Sequence, residues 1–268
     1  MNLSHDSFLD RKVAERWGPI PSEADAIREL IRGELSAEQA AKEFIKDVNA
    51  SRSLDQAEMK LWRIWRLLAD VTAKFPQYHD QLLDMTVAIH SLPSLQIQGE
   101  AAVKWEDLPI LSQTWAETVF NWGDLANTES TNLPDHINQM AFTAKLTAKA
   151  IPGADFISHA EDDMWQAFEK TPELAHELNT MAVRSLDSNV PIAAQWVLHC
   201  GQRLSELNSE IFKRNTRLEG LWTGSSGFSR DRWEFWWRRA IWVAGLAEVK
   251  GETRECAQEM VKVMESIG

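Results

Sequence analysis

Along most of the chain apolar residues return every three or four positions, and nowhere do they alternate with polar ones over a β-branched run. That pattern predicts helices and no strand. The first 20 residues are polar and mixed and end in Trp17-Gly18-Pro19-Ile20-Pro21, which reads as an arm. Helical spacing begins after Pro21 with Ala24, Ile27, Leu30 and Ile31 and stops at Gly33. Ser36 stands three residues before Gln39, a capping box that opens the next helix. A long run follows from Asp55 to Phe75, closed by Pro76, then one from Tyr78 to Leu92, closed by Pro93. Trp105 to Pro109 forms a turn that feeds a helix through Trp115 and Phe120. Further helices fall at Asp135–Ala150, Asp155–Glu169, Pro172–Ser188, Pro191–Lys213, Ser229–Val249 and Thr253–Ile267. Loops are expected near 94–104, 123–134 and 218–227. The expectation is an all-α protein, one helical domain over 21–268, with about ten helices in a single array.

The run from Ser229 to Val249 stands out. At 100° per residue, Trp233, Trp236, Trp237, Ala240, Ile241 and Ala244 share one face, and Phe235, Trp242 and Leu246 take the opposite side, with Arg238 and Arg239 between. A surface helix needs one apolar stripe; two imply burial on both sides, a partner or a ligand.

Composition sharpens this. There are 13 Trp against one Tyr, and 12 Gly and 9 Pro are few for 268 residues, which suits long helices. A net charge of −12 argues against nucleic acid and anionic membranes as partners. No run of about 18 apolar residues occurs, and the first residues lack the apolar core of a signal peptide, so a cytoplasmic protein is expected. Cys200 and Cys256 make neither a disulfide framework nor a metal site, and each reads as a small buried hydrophobe.

Several blocks are similar to a known family. Leu61-Trp62-Arg63-Ile64-Trp65-Arg66-Leu67-Leu68 and Pro76-Gln77-Tyr78-His79-Asp80-Gln81-Leu82-Leu83 come first. They are followed by Trp105-Glu106-Asp107-Leu108-Pro109-Ile110-Leu111, Asn138 to Leu146, Ala193 to Gly201, and Ser229 to Trp236. In this order, across residues 24 to 267, they resemble a fungal domain of unknown function, family 3632. The resemblance implies a fungal, helical, intracellular protein, and an association of some members with secondary-metabolite gene clusters. It implies no activity. The chain departs from the family pattern at Trp237 and Trp242, where polar helix positions have become aromatic.

Candidate chemistry is sparse. Trp196, His199, Cys200 and Arg203 share one face of the Pro191–Lys213 helix, bringing an aromatic, a titratable ring and a cation together. A His there suits general acid–base work; the plainer reading is a core histidine bonded to a carbonyl, with Arg203 on a carboxylate. Each buried indole N–H needs an acceptor, so many Trp imply many acceptors or a cavity. Glu161-Asp162-Asp163 is reminiscent of a magnesium-binding aspartate motif, but Trp165 and Gln166 stand where further ligands belong, and a helix N-terminal acidic cluster explains it better. No metal site, Gly-rich phosphate loop, nucleophile elbow or kinase signature occurs, so no cofactor is expected.

Two functions follow. One is a cofactor-independent cyclase, pericyclase or isomerase acting on an apolar small molecule in a Trp-lined helical cavity. There Trp62, Trp65, Trp196, Trp233, Trp236 and Trp237 would bind substrate, and His199 and Arg203 would be catalytic. The other is a non-catalytic interaction module, a homodimer for example, using Phe235, Trp242 and Leu246 as its interface.

Overall fold

A computed structural model describes residues 4–120, 132–170, 176, 178–207, 220–224 and 226–267. Among the described residues there are twelve α-helices and no strand, only an isolated bridge between Leu95 and Val103. The chain divides into two compact units, Met1–Trp122 with Lys149–Asp155, and Gly123–Ala148 with Phe156–Gly268.

The first unit holds α1 (His5–Ala14), α2 (Pro21–Ile31), α3 (Ala37–Phe44), α4 (Lys46–Asn49), α5 (Leu54–Lys74), α6 (His79–His90) and α7 (Leu111–Thr118). The expected arm is helical over half its length. Ser4 Oγ accepts from the Ser7 N–H, Phe8 and Leu9 are buried, and Phe8 meets Phe75 edge-on at 5.3 Å. Two apolar residues at the right turn, with a cap before them, outweigh the polar composition. The Ser36–Gln39 capping box forms in both directions. Buried Glu23 takes a bidentate contact from Arg63, at 2.9 and 2.6 Å, and Arg63 also reaches Asp47 at 2.7 Å.

The connection before α7 is tightly held. Trp65 Nε1 donates to the Pro109 carbonyl at 2.8 Å, and Trp105 Nε1 donates to Asn49 Oδ1 at 3.2 Å. Gly153 has φ 78, and a Cβ there would lie 1.7 Å from the Asp107 carbonyl oxygen. Gly153→Ala therefore carries both a left-handed backbone penalty and a backbone clash. We expect it to cost the first unit about 2–4 kcal/mol, read as a lower denaturation midpoint; an unchanged midpoint would show that the contact yields freely.

The second unit holds α8 (Leu133–Ala148), α9 (Ile157–Phe168), α10 (Thr180–Glu206), α11 (Arg230–Ala244) and α12 (Gly251–Ile267). α10 is its axis and packs on α8, α9 and α12, while α11 packs on α12 and α9. The sequence predicts a break before Pro191, yet α10 runs through it for 27 residues. Val190, Pro191, Ile192, Ala193 and Ala194 are all buried. Burial of that stretch outweighs the roughly 3 kcal/mol cost of an interior proline. The start expected at Pro172, and the end expected at Lys213, lie outside the described residues, as do most of the loop expected near 123–134 and residues 218, 219 and 225 of the one expected near 218–227.

α11 stops at Ala244 and not at Val249. The Gly245 N–H closes back on Ile241 and Trp242 carbonyls, and Arg254 from α12 donates to the Val249 carbonyl at 2.5 Å. The buried stripe of α11 is Arg232, Trp236, Arg239, Ala240 and Val243. It is rotated from the expected face, and Ile241 is left 43% exposed. Cys200 is buried and Cys256 only partly so.

Candidate functional site

α9 sends carboxylates two ways. Glu161 and Glu169 are eight residues apart, about two turns, and so share one side; Asp163, two residues from Glu161, points about 200° around the helix. On α11 the N-cap Ser229 accepts from the Arg232 N–H at 3.2 Å, and the four-residue spacing puts Arg232 and Trp236 on one side.

These sides meet in a sealed network. Arg232 Nη1 donates to Glu161 Oε1 at 2.6 Å and its Nε to Glu169 Oε1 at 2.7 Å. Trp236 Nε1 donates to the same Glu169 oxygen at 2.7 Å. The Gly227 N–H donates to Glu161 at 2.8 Å, and the Gly227 carbonyl accepts from Arg232 at 2.8 Å. The guanidinium lies 4.8 Å from the Trp236 ring centre. Arg232, Glu161, Glu169 and Trp236 are all at most 2% exposed. Arg239, also buried, donates to the Phe168 carbonyl at 3.1 Å, where α9 ends and a cation is favoured. Buried charges persist only with such complete pairing.

Asp163 faces α10. Trp196 Nε1 donates to its Oδ2 at 2.7 Å, and among the described residues no other donor serves this carboxyl. Burial pushes the Asp163 pKa up to about 7; the Trp196 bond opposes the rise, and the neighbouring Asp162 charge adds to it. The residue nevertheless keeps an intermediate share of its accessible surface, so it is crowded without being sealed. An uncharged-to-charged transition near neutral pH follows from this placement.

Both acidic groups revise the expectation for Glu161-Asp162-Asp163. The cluster lies in the second turn of α9, not at its N-terminus. Glu161 is taken by Arg232 and Asp163 by Trp196, so side-chain partners and not the helix dipole hold them. Among the described residues no three His, Cys, Asp or Glu side chains gather as metal ligands.

Of the expected site residues, the second unit contains His199, Arg203, Trp196, Trp233, Trp236 and Trp237. Trp196 and Trp236 are fully buried with their N–H groups on carboxylates. Arg203 donates to the Thr147 carbonyl at the end of α8. His199 lies half-buried one turn beyond Trp196. Trp233 and Trp237, four apart on α11, have buried indole nitrogens with no hydrogen-bond partner among the described residues. A Cβ on Gly201 of α10 would lie 3.8 Å from the Trp233 ring and 3.1 Å from Ile267, so glycine there admits the close approach of α10 and α12. Trp62 and Trp65 belong to the first unit, where Trp65 braces Pro109.

The proposed interface residues are partly used within the unit. Phe235 packs on Trp222 at 5.6 Å, Trp242 carries the Arg239 guanidinium 4.0 Å above its ring, and Leu246 is 5% exposed. Sequence reasoning missed the Arg232 network and the Asp163–Trp196 pair. The eight-residue spacing of Glu161 and Glu169, matched with Arg232-x-x-x-Trp236, was the available signal.

His136 on α8 is a second perturbed group. Burial lowers its pKa to about 4. The neutral ring is favoured in the folded state, so its contribution to stability is complete above the ordinary value of 6.5 and is lost as pH falls toward 4. Nuclear magnetic resonance titration of the ring is expected to give a midpoint of about 4; a midpoint near 6.5 would contradict its burial.

A family described as "Protein of unknown function (DUF3632)" matches residues 65–240, more than half of the chain. The chain belongs to the DUF3632 family. No curated protein and no solved structure matches it. The DUF3632 segment takes in Glu161, Asp163, Glu169, Trp196, Arg232 and Trp236, so both polar clusters lie wholly inside it, while α12 lies beyond it. No described helix is long and apolar enough to cross a membrane.

Proposed function

We propose that this DUF3632 protein is a cofactor-independent enzyme of the cyclase or isomerase type that moves a proton on an apolar small molecule. The observation that carries the reading is Asp163. A carboxyl beside an indole, with a pKa near 7 and some access to water, is populated as both acid and base at neutral pH, the condition for efficient general acid–base catalysis. Trp196 fixes one carboxyl oxygen and leaves the other for the substrate. His199, one turn away on α10, supplies a second titratable group, and Arg203 anchors α10 to the end of α8 behind it. Fungal secondary metabolism, the setting that the sequence resemblance implies, is rich in apolar substrates for such proton shifts.

The interaction-module reading has less behind it, because Phe235, Trp242 and Leu246 already have partners inside the second unit.

The test is to incubate the purified protein with apolar metabolites from cells that lack it, in deuterated water, and to follow products by mass spectrometry. The expected result is an isomer of one metabolite carrying solvent deuterium. Asp163→Asn, which keeps an oxygen for Trp196, is expected to slow its formation about 100- to 10,000-fold. Equal activity in that variant would remove Asp163 from the mechanism, and no conversion by the parent protein would remove the enzyme reading itself.

A further inference from the structure

The first unit contains a groove of about 290 Å³ between the start of α5 and the chain from 102 to 110. It shares no residue with the Asp163 site. Leu54, Leu61, Val103 and Ile110 give it an apolar lining, and Glu58, Lys104 and Asp107 are its charged residues.

Its wall is held in an unusual conformation. Leu108 and Ile110 both have positive φ, 41° and 66°, on either side of Pro109. A left-handed backbone is rare for leucine and rarer for a β-branched isoleucine, and it persists only where the surroundings enforce it. Here they do: Trp65 Nε1 holds the Pro109 carbonyl, His90 Nδ1 lies 2.8 Å from the Glu106 carbonyl oxygen, and Gly153 packs against the carbonyl of Asp107. The segment is clamped from behind, and Ile110 is turned to the groove as a result.

The charges decide what fits. An anion would be drawn to the exposed N–H groups at the start of α5. The Leu54 N–H, however, is already taken by the Glu100 carboxylate at 2.5 Å. Glu58 and Asp107 are exposed and have no ion pair among the described residues, while Lys104 lies 4.0 Å from Glu106. The groove is therefore net negative over an apolar floor. We propose that it binds a small apolar monoamine, with the hydrocarbon body on Leu54, Leu61, Val103 and Ile110 and the ammonium at Glu58 and Asp107. Lys104 repels a second positive charge, which sets a monoamine apart from a polyamine. Both carboxylates are exposed to water, so affinity is expected in the millimolar range.

The probe is 2-phenylethylamine, followed by saturation-transfer nuclear magnetic resonance on the full chain. 3-Phenylpropionate, with a similar body and opposite charge, and spermidine serve as comparators. The expected result is binding of the amine alone, weakened about three- to tenfold in the double variant Glu58→Gln, Asp107→Asn. Ala102→Trp, at a half-buried lining position, is expected to abolish the signal by filling the groove. Circular dichroism confirms that each variant is folded, which is expected because all three sites are at least partly exposed. Equal binding of phenylpropionate, stronger binding of spermidine, or an amine signal that survives both variants would overturn the proposal. So would no binding of the amine at millimolar concentration.

Discussion

Arg232→Met is expected to cost the second unit about 3–5 kcal/mol, enough to leave it largely unfolded in a domain of ordinary stability. The variant fills similar volume but strips Glu161 and Glu169 of their shared cation in a site at most 2% exposed. Among the described residues, two carboxylates would then stay buried with only the Gly227 and Trp236 N–H groups. The triple variant Arg232→Met, Glu161→Gln, Glu169→Gln separates the cause. It removes the uncompensated charge while leaving an oxygen for Trp236, and much of the loss is expected to return. Chemical denaturation followed by tryptophan fluorescence reads both. A single Arg232→Met that melts with the parent protein would mean that water enters the site; a triple variant as weak as the single one would mean that shape, not charge, is what Arg232 supplies.

Asp163→Asn should act in the opposite sense and only at higher pH. The folded carboxyl holds its proton up to about pH 7, against 3.8 ordinarily. Between those values the folded state binds a proton that the unfolded chain has released, so stability falls as pH rises through the window and levels off above it. Asparagine has no such proton. At pH 8 the variant is expected to be more stable than the parent, on the order of 1–3 kcal/mol once partial exposure to water is allowed for. Near pH 4 the two should coincide. His136 has the reverse dependence over an overlapping range, so the comparison needs the variant and cannot be read from the parent's pH profile alone. A constant difference at all pH values would show that the side chain matters for its shape and not for its titration. The same substitution is expected to slow proton transfer, so stability gained and activity reduced in one variant would mark a carboxyl retained for its chemistry.

Helices were legible because their signals are local. Ser36 with Gln39 and Ser229 before Arg232 state where a helix begins, and three- and four-residue spacing states that it continues. The polar clusters were not legible for the complementary reason. Trp196 finds its acceptor 33 residues away in Asp163, and Arg232 finds Glu161 71 residues away. Spacing within each helix puts the partners on one side, but nothing local pairs the two helices. The rotation of α11 has the same origin: reading periodicity treats arginine as outward-facing, whereas Arg232 and Arg239 turn inward to meet α9. Trp237 ends with a buried indole nitrogen lacking an acceptor among the described residues, and Trp242 ends under Arg239. They serve different ends, which a shared excess of tryptophan does not reveal.

One further contact bears on how the chain is completed. α12 begins at Gly251, two residues ahead of the start expected from its own sequence, because Asp187 on α10 accepts from the Lys250 N–H at 2.9 Å and from Thr253 Oγ1 at 2.6 Å. The cap that opens the last helix therefore belongs to a segment synthesised more than sixty residues earlier, four residues before Pro191, whose ring offers no N–H to the Asp187 carbonyl. One carboxylate of α10 thus serves as the end-cap of α12, so the first turn of that helix is tied to α10 rather than to its own chain neighbours.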